Sequence, residues 1–296
     1  DVLEEIFLTA DYMKMMACPD LLKGKILGNV FYEESTRTSW SFQIAMLKLG
    51  GQYVSTENAK MFSSAAKGET LEDTIRVLSG YPIDVIALRY HKRGGAKRAK
   101  KFSYVPIINA GDGSGQHPTQ ALLDLYTIKK KFGTLNGLKI AMMGDLNNGR
   151  TVRSLCYLLA KHFPDNEIFL ISPKEVAMKP DIKEYLTRHH VKHYEKYQLT
   201  KSLLENINVW YQTRVQKNRF KSDALYQRVM KEAECIIIDE DRAEQMDKDS
   251  IILHPLPRKN EITYSVDNNQ RAYYFPQSWN GVYIRMALLK MILIGY

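Results

Sequence analysis

Cysteine is scarce in this chain: of 296 residues only Cys18, Cys156 and Cys235 carry a thiol, isolated and odd in number. That pattern argues against a disulfide framework and a cysteine-based metal site, and fits reduced thiols in a cytoplasmic setting. Long apolar runs are lacking as well. The most apolar stretch, 281–296, is interrupted by Arg285 and Lys290 and is too short to span a bilayer, so it reads as a closing core helix. Signal-peptide features are missing from the start, where Asp1 to Lys14 reads as an amphipathic helix with Leu3, Ile6, Phe7 and Ala10 on one face. No internal repeat is visible. What remains, 45% hydrophobic residues in a chain of this length, is enough to bury the cores of two domains.

The formal net charge of +9 raises the question of nucleic acid, with His91-Lys92-Arg93 and Lys97-Arg98-Ala99-Lys100-Lys101 close together. Little aromatic residue is interleaved, so the run reads as a solvated helix face. A positive field also steers small dianionic substrates. Neither nucleic acid nor membrane is expected as a partner.

Strand-like runs at 26–31, 85–88, 105–108, 140–143, 168–171, 209–211 and 251–253 alternate with helix-like runs. Alternation of this kind predicts an α/β protein whose parallel sheets carry helices on both faces. Lys129-Lys130-Lys131-Phe132-Gly133 reads as a helix end before a new strand, and so as a domain boundary. The expected division is 1–132 with a returning helix 281–296, and 133–280.

Two strings fall where a strand gives way to a helix. Ser35-Thr36-Arg37-Thr38 follows the first strand and opens a helix with Phe42, Ala45, Met46 and Leu49, which stops at Gly50-Gly51. The unpaired N–H groups of such a helix start favour a phosphate, and Arg37 adds a bidentate donor. Taken alone, the string reads more readily as an ordinary Ser/Thr N-cap. His117-Pro118-Thr119-Gln120 opens another helix and holds an imidazole and an amide at a strand's carboxyl end, where open α/β sheets bind ligands.

Three other patterns invite functional readings and do not carry them. Gly144 to Thr151 nearly fits a Walker A loop but has Arg150 where Lys is needed. Gly111-Asp112-Gly113-Ser114-Gly115 starts like a dinucleotide loop, but lacks the later glycine and reads as a tight turn. His189, His190 and His193 lie among Arg188, Lys192 and Lys196, an unfavourable field for a metal ion.

Five strings in one order, Phe31 to Thr38, Lys67 to Thr70, His117 to Gln120, Thr213 to Lys217 and His254 to Arg258, resemble the signatures of the carbamoyltransferase family, in the branch that uses aspartate. The resemblance covers nearly the whole chain. It implies two domains with the active site in the cleft between them, and transfer of a carbamoyl group from carbamoyl phosphate to L-aspartate in pyrimidine synthesis, without metal or organic cofactor. It matches Ser35, Thr36, Arg37 and Thr38 to the phosphate loop, and Thr38, Arg89 and His117 to the contacts of the carbonyl oxygen. Gln120 and the carbonyls of Leu256 and Pro257 match the partners of the carbamoyl amino group. Arg150 matches the α-carboxylate ligand, and Arg214 with Gln216 the side-chain carboxylate site. Ser63 and Lys67 match residues that reach a neighbouring subunit's site in a homotrimer. Glu33 matches an interdomain link to Arg150 and Arg219. Arg214-Val215-Gln216 stands in the aspartate-type position, whereas the ornithine branch's Ser-Met-Gly string is not evident. Asn147, Asn148 and Arg153 depart from common family residues, and a separate regulatory chain is left open.

Overall fold

A computed structural model describes residues 1–59 and 67–295. The chain divides into two compact units, Asp1–Tyr126 with Trp279–Tyr296, and Thr127–Ser278. Among the described residues no helix is long and apolar enough to cross a membrane.

The first unit runs α1 (Val2–Met15), β1 (Ile26–Phe31), α2 (Thr36–Lys48), β2 (Gln52–Thr56), α3 (Leu71–Ser79), β3 (Val85–Tyr90), α4 (Gly95–Lys100), β4 (Ile107–Asp112) and the start of α5 (Pro118–Phe132). Its four strands are all parallel, in the order β2-β1-β3-β4. Period-two alternation covers the sheet on both faces. Leu27 and Phe31 of β1 and Val85 and Ala87 of β3 pack with Phe42 and Met46 of α2. Their neighbours Val30, Ile86 and Leu88 pack instead with Leu71 and Ile75 of α3. Each large apolar side chain so buried contributes about 1.5–3 kcal/mol.

The second unit continues with β5 (Lys139–Met143), α6 (Arg150–His162), β6 (Glu167–Ile171), α7 (Pro180–Arg188), β7 (Lys192–Lys196), α8 (Lys201–Asn206), β8 (Val209–Gln212), α9 (Asp223–Ala233), α10 (Glu240–Gln245) and β9 (Ile251–Leu253). Its parallel strands run β7-β6-β5-β8-β9. Ala141, Met143, Trp210 and Ile252 form one core with Leu203 and Leu204 of α8. The alternate residues Ile140, Met142, Val209 and Tyr211 are also buried, so this sheet too is covered on both faces. The last helix, α11 (Tyr274–Ile294), returns Met286 and Leu289 to the first unit's core.

Two strands escaped the sequence reading, β2 and β7. Both are edge strands with no fully buried residue. Their pairing with β1 and β6 makes them strands, so they lack the apolar run that announces a central one.

Candidate active site

Parallel strands place all their carboxyl ends on one edge of a sheet, and the strand order then decides which loops meet there. In the first sheet the order reverses between β1 and β3, a topological switch point. The loop after β1 and the first turn of α2 carry Ser35 to Thr38, and Arg89 is the penultimate residue of β3, paired to Phe31 of β1. Next along, β4 leads through Gly111–Gln116 to His117. The structure brings these residues together. Thr38 Oγ1 lies 3.5 Å from His117 Nε2, both side chains buried. Arg89 Nε lies 3.6 Å from Glu33 Oε2 in the same unit.

The start of α2 differs from that of the capped helices. Thr70, Thr200 and Ser222 each accept a backbone N–H at the start of their helices. Ser35 makes no such bond. The first turn of α2 also has no acidic residue and carries Arg37 instead, whereas α1, α3 and α9 have acids there. A cation at the positive end of a helix is unfavourable unless an anion joins it. Ser35 to Thr38 thus combine an open cap position with a guanidinium at one helix start, Arg37 exposed and Thr38 buried.

Gln120, in the first turn of α5, donates from Nε2 to Asp124 Oδ1 at 2.8 Å. Lys67 is exposed. Ser63 lies outside the described residues.

The second sheet switches direction between β5 and β8. Arg150 is the first residue of α6, again a cation at a helix start with no side-chain cap and no acid in the first turn. After β8, Thr213 donates its N–H and its hydroxyl to the Met143 carbonyl, at 2.9 and 2.7 Å, which fixes where Arg214 and Gln216 leave the sheet. Arg150, Arg214 and Gln216 are half-buried and Arg219 is exposed. Next along, β9 leads to Leu256 and Pro257. Three neighbouring strand ends thus supply two half-buried guanidinium groups, suited to carboxylates, and a pair of fixed carbonyls.

Burial pushes the Asp145 carboxyl up, and bonds from Asn148 with the charge of Arg219 only partly oppose this. Asn148 donates its backbone N–H and its amide to that carboxyl, which gives one of the family departures a role in shaping the turn before Arg150. Arg153, another departure, is buried and makes a bidentate pair with Asp181 of α7.

The decoys resolve structurally. A Cβ on Gly144 (φ +97°) would stand 2.0 Å from the Thr213 carbonyl oxygen, and one on Gly149 2.6 Å from that of Asp145. These glycines serve close backbone packing. In the Gly111–Gly115 turn, Asp112 accepts the N–H groups of Gln116 and Gly94. His189 and His193 each turn Nδ1 to a backbone carbonyl. Among the described residues no group of three or more His, Cys, Asp or Glu is arranged to hold a metal ion.

Sequence reasoning singled out the His254 string without giving His254 a task, and missed Glu261 altogether. The buried His254 accepts the Leu256 N–H at Nδ1, at 2.7 Å, and pairs through Nε2 with Glu261 Oε1 at 2.9 Å. The Nδ1 acceptor fixes the tautomer, so Nε2 carries the proton. Leu256 sits at φ +52°, an unfavourable conformation for leucine that the imidazole bond helps to hold. Burial would push Glu261 up, but the hydrogen bond from His254, with backbone donors, holds it below the usual carboxylate range. A histidine two residues before the working carbonyl was the available signal.

Each of the two parallel α/β units thus has, at its switch point, an uncapped helix start that carries an arginine and suits an anion. Comparison with known proteins agrees. Residues 1–130 match the carbamoyl-phosphate-binding domain of the aspartate/ornithine carbamoyltransferases, and residues 136–292 match their Asp/Orn-binding domain. The chain belongs to the aspartate/ornithine carbamoyltransferase family. It is 49% identical to the chloroplastic aspartate carbamoyltransferase of Oryza sativa subsp. japonica, over 100% of this chain and 82% of that protein. With the aspartate carbamoyltransferase catalytic subunit of Methanococcoides burtonii it shares 48% identity over 99% of this chain and 94% of the relative. Among solved structures, aspartate transcarbamoylase from Trypanosoma cruzi in complex with N-(phosphonacetyl)-L-aspartic acid superposes with a TM-score of 0.92 at 37% identity, covering 98% of this chain and 92% of the other.

Proposed function

We propose that the chain is the catalytic chain of an aspartate carbamoyltransferase, converting carbamoyl phosphate and L-aspartate to N-carbamoyl-L-aspartate and phosphate, a step of pyrimidine synthesis. The observation that carries this reading is the uncapped start of α2 beside the Thr38–His117 contact, a phosphate clamp next to two donors. In the reaction the amine nitrogen of aspartate bonds to the carbamoyl carbon, the carbon–oxygen bond to phosphate breaks, and a proton passes from the amine to the departing phosphate. Ser35, Thr36, Arg37 and Thr38 take the phosphate. Thr38, Arg89 and His117 donate to the carbonyl oxygen as negative charge develops, a role in which losing one donor typically costs about 2.7–4 kcal/mol of barrier. Gln120 and the Leu256 and Pro257 carbonyls take the carbamoyl amino group, and Arg150, Arg214 and Gln216 take the two carboxylates. Paired guanidinium groups favour a dicarboxylic acceptor over ornithine, whose side-chain ammonium they repel.

Assembly as a homotrimer, with Ser63 and Lys67 serving a neighbour's site, belongs to the same proposal. Its support is a stripe of exposed apolar residues on α2, Trp40, Ile44 and Leu47, at helical spacing beside the clamp. Glu33 is proposed to exchange its Arg89 partner for Arg150 and Arg219 during turnover. A cytoplasmic setting belongs to the proposal too, supported by the three free thiols of Cys18, Cys156 and Cys235.

The test is phosphate release from carbamoyl phosphate with a panel of amines. Turnover with L-aspartate and none with ornithine is expected. Preference for ornithine, or no turnover with any amine from folded protein, would overturn the assignment.

A further inference from the structure

Gln120 does not stand alone in the first turn of α5. Its Nε2 donates to Asp124 Oδ1 one helical turn on, and Asp124 is fully buried. A carboxylate only accepts, so it draws the NH2 end of the glutamine amide and leaves the carbonyl oxygen Oε1 as the end presented to a ligand. Without this partner the two ends of the amide are nearly equal in shape, and either could face outward.

The buried carboxylate has a counter-charge. Arg285 of α11 is also buried, lies with its guanidinium carbon 5.0 Å from the Phe42 ring centroid, and donates to the Gly281 carbonyl at 3.0 Å and to Thr119 Oγ1 at 3.3 Å. Burial pulls the Arg285 guanidinium down to about 9, against the charge of Asp124, which favours its protonated form. It is therefore still a cation at neutral pH. A buried acid and a buried base brought together from α5 and α11 are costly to keep unless they do something that apolar residues cannot.

We propose that Asp124 is a positioning residue that locks the Gln120 amide with its carbonyl oxygen toward the ligand. The donor half-site then reads an N–H group on the acyl carbon, and favours carbamoyl phosphate over acyl phosphates that have no amino group. The inference rests on the proposed role of Gln120 as a contact of the carbamoyl amino group.

The experiment measures binding of carbamoyl phosphate, acetyl phosphate and inorganic phosphate by calorimetry to the full, assembled protein and to Gln120→Ala, Asp124→Asn, and Asp124→Asn combined with Arg285→Met. The combined variant removes the cation that Asp124→Asn leaves uncompensated. Asp124→Asn offers both a donor and an acceptor, so the glutamine can turn over. Expected is a loss of about tenfold in carbamoyl phosphate affinity, with acetyl phosphate and phosphate changed by less than about twofold. Adding Gln120→Ala to Asp124→Asn should bring little further loss, because both changes remove the same contact. If Gln120→Ala leaves the discrimination intact, the assignment of Gln120 fails, and this inference with it. If Gln120→Ala abolishes discrimination while the Asp124 variants keep it, or weaken all three ligands equally, the assignment of Gln120 stands and the inference is overturned. A readout independent of any Asp124 variant is hydrogen exchange of the Gln120 side-chain amide, identified by its loss in Gln120→Ala. Protection is expected in the ligand-free protein, and exchange at the rate of an exposed amide overturns the proposal.

Discussion

His254 offers the sharpest test of how the second unit's carbonyls are set, because its two ring nitrogens do two separable jobs. Nδ1 accepts the Leu256 N–H and Nε2 donates to Glu261. Asparagine places an oxygen near the position of Nδ1 and keeps the first bond. Glutamine reaches the position of Nε2 and keeps the second. Leaving the Leu256 N–H unpaired costs about 1–3 kcal/mol, and stripping the carboxylate of its donor about 1.5–3 kcal/mol. His254→Ala loses both and leaves a cavity besides. For a unit of this size each kcal/mol moves Tm by roughly 2–4 °C, so His254→Ala should lower it by about 10 °C and each amide variant by about half as much. The pH dependence separates the two. Glu261 is held below the usual carboxylate range in the folded chain. Its stabilisation is therefore present above the ordinary carboxylate pKa and is lost as pH falls through the lowered folded value. His254→Asn, which breaks the Glu261 bond, should lose most stability at neutral pH and approach the parent in acid. His254→Gln should differ from the parent by a similar amount throughout. Thermal denaturation across the acid range reads both, and carbamoyl phosphate binding should suffer more in His254→Gln, where Leu256 is released. Equal stability of all three variants with the parent, or parallel pH curves for the two amides, would refute the reasoning.

Arg214→Ala should weaken binding of a dicarboxylate far more than that of phosphate and Arg37→Ala should do the reverse; equal losses of both ligands in calorimetry would contradict the split assignment. Gly144→Ala, forced against the Thr213 carbonyl at positive φ, should destabilise by well over 1 kcal/mol in denaturant titration and raise the KM for aspartate by displacing Arg214. Arg153→Met should cost about 1–3 kcal/mol, a range lowered because Asp181 is nearly half exposed and its charge is screened. Mixing Lys67→Ala with His117→Ala chains after dissociation should restore activity to roughly a quarter of the intact level, since about that fraction of shared sites in a random trimer is whole; no recovery from trimers of verified mixed mass would place Lys67 in its own chain's site.

Much of the central framework was legible because buried parallel strands are short apolar runs. The runs at 26–31 and 251–253 match β1 and β9 in full, and 85–88 falls two residues short of β3 because Arg89 and Tyr90 end the apolar pattern. The edge strands β2 and β7 were illegible for the opposite reason, since exposed Gln52, Tyr53, Lys192 and Glu195 carry no signal of burial. Arg153 and Asn148 looked like unexplained departures as long as only their identities were known. Their partners, Asp181 and Asp145, show the first tying two helices together and the second shaping a turn.

What one sequence cannot separate is a serine that caps a helix from one that leaves its helix open. Thr70, Thr200, Ser222 and Ser35 all precede helices, and local propensity treats them alike. Thr200 caps α8 with no acid in its first turn, so charge alone does not decide the cap, but Thr70 and Ser35 differ clearly in the charges that surround them. Thr70 has Glu72 and Asp73 beside it, which already neutralise the helix start, and its hydroxyl accepts the Asp73 N–H. Ser35 precedes Arg37, and strand order brings to the same sheet edge Arg89, more than fifty residues on, and His117, more than eighty. A helix start that gathers cations and donors from two other strand ends while leaving its own cap unused is less stable alone than a capped one. Binding of an anion would recover that stability, so the energetic deficit and the catalytic chemistry have the same physical source.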